Sequence, residues 1–391
     1  MRHPLTYTAA FAATAFSLFA TSALADPMTV TDIAGRQVTL PDAPERIILG
    51  EGRMMYAIAP LATENPFEHV VGWKDDLILY DPDAFEKFKA AFPEDTARMV
   101  NFGNPYAGDF SIEAVLENKA DLLLLDLGNL FKAEETGLIE KLDEAGVPVV
   151  FIDFRRDPTA NSIPSMLLLG RLLEKEARAA EFIDFYVAEM RKVTNVVQSL
   201  PVDEKPLVFM ENAAGWSPEY CCNTFGSYNY GRFIELAGGR NYGSEKFAGY
   251  SSEVSLEGLI AADPDVLLGT GANWAAARPE VTATLLGYQA NTVDNDARIQ
   301  ALADRVGFKN LRAVQTGRMH SIYHQFYNSP YHFIAIQQIA KWLHPEDFTD
   351  LDPNATMAKL HDEFMPFATA GQFWVLGNKK APYVYVSRQA F

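Results

Sequence analysis

The sequence predicts an α/β protein of two similar lobes, each a parallel sheet flanked by helices, joined by one long helix. Three observations predict this fold class. Strand-like apolar runs alternate with helix-like runs along both halves of the chain. The stretch FSIEAVLENKADLLLL at 110–125 recurs as VSLEGLIAADPDVLLG at 254–269, with a constant offset of 144 residues. Between the two copies, 175–200 contains no Gly or Pro and places apolar residues at helical spacing.

Strand signals in the first lobe are separated by helical or loop sequence. Alternating polar and apolar residues at 28–31 and 37–40, with Ala34-Gly35 between them, predict a β-hairpin. Short apolar runs predict sheet strands at 46–49, 69–72, 121–125 and 147–152. Such spacing is typical of a parallel sheet, because parallel neighbours need long crossover connections.

The helix that joins the lobes is predicted over 175–200, and Pro201 ends its pattern. At about 1.5 Å per residue it would span roughly 39 Å, which suits a strut between two lobes. In the second lobe the alternation predicts strands at 207–211, 266–270 and 319–323, and helices at 231–237, 298–306 and 330–343. Each lobe also has a short serine-capped helix, at 111–118 and 255–262, that leads into a buried strand.

The amino terminus has the organisation of a secretory signal peptide. Arg2 and His3 precede an apolar run at 9–20, and Ala23-Leu24-Ala25 is a small-residue cleavage pattern. We therefore expect cleavage before Asp26 and export of a soluble protein to the periplasm. No Cys stands at the cleavage point, so we expect no lipid anchor. The expected segments are the signal peptide at 1–25, a first lobe at 26–160, a connecting helix region at 161–203, a second lobe at 204–345 and a C-terminal segment at 346–391.

Composition and motifs argue against two classes of function. The formal net charge is −18, and an acidic protein is poorly suited to nucleic acid, whose phosphates require a basic surface. The sequence contains none of the patterns G-x-S-x-G, H-E-x-x-H, G-x-G-x-x-G or the P-loop. We therefore expect a protein that is not an enzyme, with no catalytic residues and no cofactor.

Cys221 and Cys222 are the only cysteines of the chain. An oxidising compartment permits a disulfide, but sequence neighbours can form one only through a strained eight-membered ring. Two partly buried thiols and a vicinal disulfide are both consistent with the sequence. A thiol redox enzyme that uses this pair is the remaining enzymatic alternative.

Several longer motifs carry a family resemblance. They are TDIAGRQVTLPDAPERII, the paired S-[IL]-E-x-[VL] helices, FIELAGGRNY and AKWLHPEDF, with GRMMYAIAPL, VVGWKDDL, CCNTFGSYNYGRFIELAGG and HQFYNSPYHF in finer detail. In their order and spacing they resemble substrate-binding proteins of ABC transporters of the iron-siderophore and cobalamin class, over nearly all of the mature chain. The resemblance implies the helical-backbone fold of periplasmic binding proteins. It also implies a monomeric receptor that captures a ferric-siderophore-type iron complex and delivers it to an inner-membrane ABC permease.

The ligand of such a receptor should lie between the lobes, where the parallel strands end. Ferric siderophores are bulky and frequently anionic, so Arg or Lys charge, aromatic faces and Tyr hydroxyls suit them. The loops that follow the strands predict as ligand-binding residues Arg53, Tyr56, Trp73, Lys74, Asn104, Trp216, Tyr228, Trp274, His324 and Tyr327. We expect the chelator to hold the iron, and the sequence leaves open whether His324 or Tyr327 also contacts it.

The resemblance also implies a role for the repeated acids Glu113 and Glu257. In this family an acid on the surface of each lobe pairs with basic residues of the permease during docking. Both glutamates lie in the first turn of a predicted helix, where a carboxylate also complements the helix dipole. A purely structural role in the two helices is therefore the alternative.

Other ligands remain open from the sequence. Haem and cobalamin are alternatives to a siderophore. A receptor for bare zinc or manganese usually takes imidazoles from both lobes, whereas five of the seven histidines lie between 320 and 361. The distribution of histidines therefore favours a chelated metal over a bare one.

Overall fold

Residues 27–201, 204–217, 221–276, 278–290 and 292–377 are described by a computed structural model. The predicted signal peptide at 1–25 and the tail from residue 378 onward lie outside these ranges. Within the ranges, no helix combines the length and the apolar character that a membrane span needs.

The first lobe is built on a five-stranded parallel sheet. β1 (Met28–Thr31) and β2 (Gln37–Leu40) form the predicted antiparallel hairpin beside it. The sheet has the order β5-β4-β3-β6-β7 and consists of β3 (Ile47–Leu49), β4 (Val70–Trp73), β5 (Val100–Asn101), β6 (Leu122–Asp126) and β7 (Val149–Ile152). All five residues of β6 are buried, as is typical of a parallel strand covered on both faces. The four predicted sheet strands are confirmed, and only the two-residue β5 was not predicted.

Seven short helices connect these strands. They are α1 (Met55–Ile58), α2 (Asp76–Tyr80), α3 (Pro82–Ala91), α4 (Pro93–Ala97), α5 (Ile112–Glu117), α6 (Leu130–Glu135) and α7 (Leu138–Glu144). Two helices then leave the lobe, α8 (Pro158–Leu172) and α9 (Glu176–Val197). Glu174, with a φ of +55°, interrupts the helical backbone between them. The predicted connecting helix is α9, whose 22 residues span about 33 Å.

The second lobe has a sheet with a parallel centre and antiparallel edges. Its strands are β8 (Leu207–Glu211), β9 (Asn223–Phe225), β10 (Arg240–Asn241), β11 (Ser251–Glu253), β12 (Val266–Gly271), β13 (Met319–Tyr323) and β14 (Trp374–Val375). The order is β11-β9-β8-β12-β13-β14, with β10 beside β8. The three predicted strands are the central parallel ones, β8, β12 and β13. The four that sequence reasoning missed have only two or three residues each, too few to show a period.

Helices of the second lobe pack on this sheet and on the connecting helix. They are α10 (Tyr230–Leu236), α11 (Tyr242–Lys246), α12 (Leu256–Ala262), α13 (Thr292–Ala303), α14 (Arg312–Gln315), α15 (Phe333–Leu343) and α16 (Pro353–Phe364). The connecting helix α9 packs against α8 on the side of the first lobe and against α15 on the side of the second. It therefore braces both lobes. Helix α16 was not predicted, although Asp352 followed by Pro353 is a recognisable helix start.

The sequence repeat corresponds to a repeated piece of structure. Ser111 caps α5 and Ser255 caps α12, each through its hydroxyl to the backbone N–H three residues on, at 3.1 and 3.0 Å. Both helices are followed by a residue with left-handed backbone, Lys119 at φ +49° and Asp263 at φ +40°, at equivalent positions of the repeat. The same turn therefore leads from helix to strand in both lobes.

The repeated aspartates Asp121 and Asp265 tie neighbouring strands together. The Asp121 carboxylate accepts hydrogen bonds from the backbone N–H groups of Glu45 and Arg46, both at 2.9 Å, where the chain enters β3. The Asp265 carboxylate accepts from the N–H of Leu207 at 2.8 Å, where β8 begins. Asp121 immediately precedes β6 and binds the start of β3, and Asp265 immediately precedes β12 and binds the start of β8. The repeated aspartate therefore aligns the same kind of parallel strand pair in both sheets.

We expect Asp121→Ala to lower the free energy of unfolding by about 1–3 kcal/mol, because two backbone N–H groups lose a charged acceptor. Urea unfolding followed by circular dichroism measures this change. Glu117→Ala, an exposed acid four residues earlier, is the control and should change stability by less than about 0.5 kcal/mol. Equal stability of the two variants would contradict the structural role of the repeated aspartate.

Candidate ligand-binding site

A cavity of about 250 Å³ lies between the two lobes. The first lobe contributes the turn after β3 and the end of α2, and the second lobe contributes the turns after β8, β12 and β13. These turns meet at the carboxyl ends of parallel strands, where such sheets leave room for ligands. The residues that line the cavity are Arg53, Tyr80, Asn212, Ala213, Trp216, Trp274, His324 and Tyr327.

Five of the ten predicted ligand-binding residues line this cavity, and four of them form an aromatic wall. The rings of Trp216 and Trp274 meet edge to face with centroids 5.1 Å apart. Trp274 and His324 are 5.0 Å apart, and His324 and Tyr327 are 4.4 Å apart. Arg53 is the fifth predicted residue on the lining. The wall presents a continuous series of ring surfaces to a ligand.

The hydrogen bonds of His324 indicate its tautomer. Its Nδ1 lies 2.9 Å from the hydroxyl of Thr270, and that oxygen already accepts a hydrogen bond from the N–H of Ala213 at 2.7 Å. Among the described residues, Nδ1 is the acceptor that this buried hydroxyl proton can reach, so we assign the proton to the bond with Nδ1 and the ring hydrogen to Nε2. Burial, assisted by Arg53, lowers the pKa of His324 to about 3, so the ring is neutral at neutral pH. The imidazole thus offers the cavity an N–H donor.

Arg53 lies at the junction of the lobes with its guanidinium held by protein groups. Its Nε donates to Asp76 at 2.5 Å and its Nη2 to Glu51 at 3.4 Å. Its Nη1 donates to Gln325 at 3.3 Å and to the hydroxyl oxygen of Tyr327. Because that oxygen accepts from Arg53, the hydroxyl proton of Tyr327 is free to be donated to a ligand.

A second arginine, the half-buried Arg155, completes a network of charges beside the cavity. It donates to both oxygens of Glu51, at 2.7 and 3.2 Å, and to Asp126 at 3.2 Å. Burial raises the pKa of Glu51, but Arg155, Arg53 and Lys74 outweigh it and leave that pKa below its usual value. Burial raises the pKa of Asp126 to about 7, against the opposing effect of Arg155. Neither Asp126 nor Arg155 was predicted, although Asp126 is the last residue of β6 and Arg155 follows β7.

Two predicted residues lie in the core of the first lobe and do not line the cavity. Tyr56 is only 1% exposed, because all of α1 is buried, and its hydroxyl donates to Asp81. Trp73, also 1% exposed, packs against Phe67 with ring centroids 5.9 Å apart. Tyr56 lies in α1, which begins directly after the turn that follows β3 and is wholly buried, so its ring packs in the core. Trp73 is the last residue of β4, and its ring faces the core and not the cavity.

Three further predicted residues lie outside the cavity lining. The ammonium group of Lys74 lies 5.8 Å from the ring centroid of Tyr106. Asn104 accepts a hydrogen bond from the backbone N–H of the same Tyr106 at 3.1 Å and so shapes its own loop. Tyr228 is half-buried in the turn before α10. None of the three contributes to the space described above.

The structure places the cysteines and the repeated acids away from the cavity. The sulfur atoms of Cys221 and Cys222 are joined in a disulfide just before β9, with Cys222 buried in the core of the second lobe. Glu113 and Glu257 are exposed in the first turns of α5 and α12. Among the residues that the structure describes, no group of three or more His, Cys, Asp or Glu is placed to hold a metal ion.

Direct hydrogen bonds join the two lobes beside the cavity. The backbone oxygen of Tyr80 accepts from the indole N–H of Trp274 at 3.0 Å and from the amide of Gln325 at 2.8 Å. Next to it, Asp83 accepts from the side chain of Asn273 at 2.8 Å. The end of α2 and the start of α3 are therefore fastened to the second lobe by polar contacts.

Asp81 lies at the centre of this junction and accepts hydrogen bonds from the hydroxyls of Tyr56 and Tyr323, one from each lobe. Both bonds go to one carboxylate oxygen, and the other oxygen has no partner within the described ranges. Burial is the largest influence and raises the pKa of Asp81 to about 7, although both phenols oppose it. A carboxyl group whose pKa is close to neutral pH thus lies between the lobes.

Asn229 is a further residue of the junction that sequence reasoning missed. Its backbone has φ +54° and ψ −129°, a conformation that only glycine adopts without strain. Its side-chain amide donates to the backbone oxygens of Arg155, in the first lobe, and of Tyr327, at 2.9 Å. Its side-chain oxygen accepts from the N–H of Tyr230 at 2.8 Å, at the start of α10. One buried side chain therefore holds three segments at the cavity.

Comparison with known proteins identifies relatives of this chain. A family model described as "Periplasmic binding protein" matches residues 93–323, more than half of the sequence. No curated protein matches the chain. Among solved structures, the TroA-like periplasmic binding protein FepB from Veillonella parvula is 28% identical, with a TM-score of 0.80 over 90% of this chain and 100% of that one.

Two more distant structures share the fold. The molybdate-bound periplasmic binding protein MolA from Haemophilus influenzae is 18% identical, with a TM-score of 0.68 over 88% of this chain and 100% of that one. Helicobacter pylori CeuE with Ni(II) bound is 14% identical, with a TM-score of 0.63 over 87% of this chain and 96% of that one. At these identities the likeness concerns the fold, which is the two-lobed architecture described above.

Strain at position 229 can be measured by comparing two substitutions. Both Asn229→Ala and Asn229→Gly lose the three side-chain hydrogen bonds, but only glycine also relaxes the backbone. We expect the Gly variant to be more stable than the Ala variant by about 1–2 kcal/mol in urea unfolding. Asn118, whose φ is −84°, is the control, and there the order should reverse because glycine gains nothing. Equal stability of Asn229→Ala and Asn229→Gly would contradict the conclusion that the backbone at position 229 is strained.

Proposed function

Because the chain belongs to the family of periplasmic binding proteins, which are solute receptors of ABC transporters, we propose that it captures a ferric-siderophore-type iron complex between its lobes. The receptor then delivers the complex to an inner-membrane permease. The observation that carries the choice of ligand is the composition of the cavity, in which an aromatic wall lies beside neutral hydrogen-bond donors.

The donors suit the oxygen atoms of a metal chelate. Tyr327 offers its hydroxyl proton and His324 offers Nε2–H, whereas Arg53 is occupied by protein groups on most of its N–H positions. Catecholate, hydroxamate and carboxylate siderophores all surround iron with oxygen acceptors and have faces that can pack on aromatic rings. On this proposal the chelator supplies the iron ligands and the protein binds the outside of the complex.

The size of the cavity also bears on the ligand. Its volume of about 250 Å³ is below the 300–1,000 Å³ that is usual for organic ligands of drug size. We therefore infer that the cavity receives the iron-bearing part of the complex and that the remainder extends through the mouth of the cleft. Relatives with bound molybdate and bound nickel have the same fold, so the lining residues and not the fold must decide the ligand.

Tryptophan fluorescence tests this ligand class, because Trp216 and Trp274 line the cavity. We expect quenching that saturates at one equivalent of a ferric siderophore and no response to zinc or manganese. Tyr327→Phe should weaken binding about tenfold, the effect of one lost hydrogen bond to a charged ligand. Tyr228→Phe is the matched control outside the cavity and should bind normally. Tight zinc binding with failure of every siderophore would refute the proposal, and saturation by haem or cobalamin would identify that ligand instead.

Delivery to the permease is assigned to Glu113 and Glu257 by the family resemblance. An exposed charge at a helix start contributes only about 0.3–1 kcal/mol to folding, so changing both to Ala should leave melting temperature and ligand affinity nearly unchanged. Cellular uptake of the iron complex should nevertheless fail. Changing both to Lys should reduce uptake further, because it sets like charges against a basic permease surface. Normal transport by the double Lys variant, or its unfolding, would overturn this assignment.

A further inference from the structure

A second cavity, of about 460 Å³, lies beside the connecting helix α9. The start of α8, one face of α9 and one face of α10 line it, so both lobes and the connecting helix contribute. It shares no lining residue with the cavity in the cleft. Its volume is within the range of about 300–1,000 Å³ that is usual for organic ligands, and the proposed binding of an iron complex makes no use of this space.

Part of the lining is apolar. Val187 and Met190, three residues apart on α9, and Leu236 on α10 all line the cavity. The three side chains are half-buried and pack against the core on their inner sides. Methionine adapts its shape to what it contacts. These groups therefore offer an apolar surface that an organic ligand could cover.

Two arginines, Arg191 on α9 and Arg232 on α10, add positive charge to the same lining. Arg232 pairs with Glu235 at 3.0 Å, in an ion pair that is exposed to solvent. Arg191 is exposed and forms no ion pair with a residue that the structure describes. On a protein of net charge −18, this combination is a local site of attraction for an anion.

The acid of the lining, Asp157, is already engaged in the cap of α8. Its carboxylate accepts hydrogen bonds from the N–H of Ala160 at 3.3 Å and from the hydroxyl of Thr159 at 3.0 Å. A negative charge at the start of a helix is also stabilised by the helix dipole. Asp157 therefore serves α8 and leaves the two guanidinium groups available to a ligand.

Both features of the lining are needed for binding. Ion pairs that are exposed to solvent contribute little on their own, so a small inorganic anion would be held weakly. Burial of an apolar chain adds stabilisation with every methylene group that leaves water. A planar carboxylate matches the fork of a guanidinium. The lining thus suits a molecule that combines a carboxylate with an apolar chain.

We propose that this cavity is a second binding site, which takes a carboxylate with an apolar chain, such as a medium-chain fatty acid. Arg191 and Arg232 bind the carboxylate, and the chain packs on Val187, Met190 and Leu236. The site is separate from the cleft, and the proposal does not rest on the function proposed for the cleft.

Isothermal titration calorimetry with decanoate, acetate and 1-decanol tests the ligand class. We expect decanoate to saturate at one equivalent, and acetate and 1-decanol to bind at least about tenfold more weakly, because each lacks one of the two contacts. Decanoate should also raise the melting temperature of the protein, since it binds only the folded state. Equal binding of decanoate and 1-decanol, or failure of decanoate to bind, would overturn the proposal.

Two variants test the residues of the site. Arg191→Gln with Arg232→Gln should weaken decanoate binding at least about tenfold. The matched control is Arg171→Gln with Arg240→Gln, two exposed arginines that pair with glutamates and do not line the cavity, and it should bind decanoate like the wild type. Both variants should melt like the wild type without decanoate and bind the ferric siderophore normally. Equal weakening by the control pair would refute the assignment.

Competition shows which cavity decanoate occupies. Trp216 and Trp274 line the cavity in the cleft, whereas no tryptophan is among the lining residues of the second cavity. We therefore expect decanoate to bind without quenching tryptophan fluorescence and to remain bound when a ferric siderophore saturates the cleft. Displacement by the siderophore would place decanoate in the cleft and overturn the second site. If no siderophore binds, the function proposed for the cleft fails, and the calorimetry still decides the second site.

Discussion

Pairing of two arginines, the buried Arg53 and the half-buried Arg155, is the constraint on which the site depends. A buried guanidinium left without partners costs several kcal/mol, so Arg53 above all requires acids at close range. Those acids are Glu51 after β3, Asp76 after β4 and Asp126 at the end of β6, while Arg155 itself follows β7. The sheet order β4-β3-β6-β7 makes these four turns neighbours. Charge pairing thus links four strand-end turns of the first lobe beside the cavity.

On the proposed function, the cleft would recognise its ligand mainly through neutral groups, because its charges are paired internally. Arg53 is paired with Asp76 and Glu51, and the neutral groups of the lining include the hydroxyl of Tyr327, the N–H of His324 and the side-chain oxygen of Asn212. Neutral donors on a fixed framework discriminate by geometry and cost less desolvation than free charges do. A receptor of this kind can select the shape of a chelate without attracting every anion of the periplasm.

Sequence reasoning placed on the cavity lining five of the ten residues that it predicted to bind ligand, for one physical reason. Parallel strands end at the same edge of a sheet, so residues after them converge, and this rule located Arg53, Trp216 and Tyr327. The rule does not say which way a side chain points, and therefore it also selected Tyr56 and Trp73, which face the core. Contacts such as that of Asn229 with Arg155 join residues 74 positions apart and have no local signature. Only the packed structure brings them together.

The two lobes are alike where they face outward and unlike where they face the ligand. On the outside, the serine caps, the left-handed turns and the strand-binding aspartates are repeated, so α5 and α12 present matched surfaces. Inside, the first lobe contributes paired charges and the second contributes aromatic rings, which suits a ligand that has no internal symmetry. The same duplication can therefore preserve the helix caps and the strand-binding aspartates while the strand-end turns, on which the alignment of the strands does not depend, diverge into two different linings of one cavity.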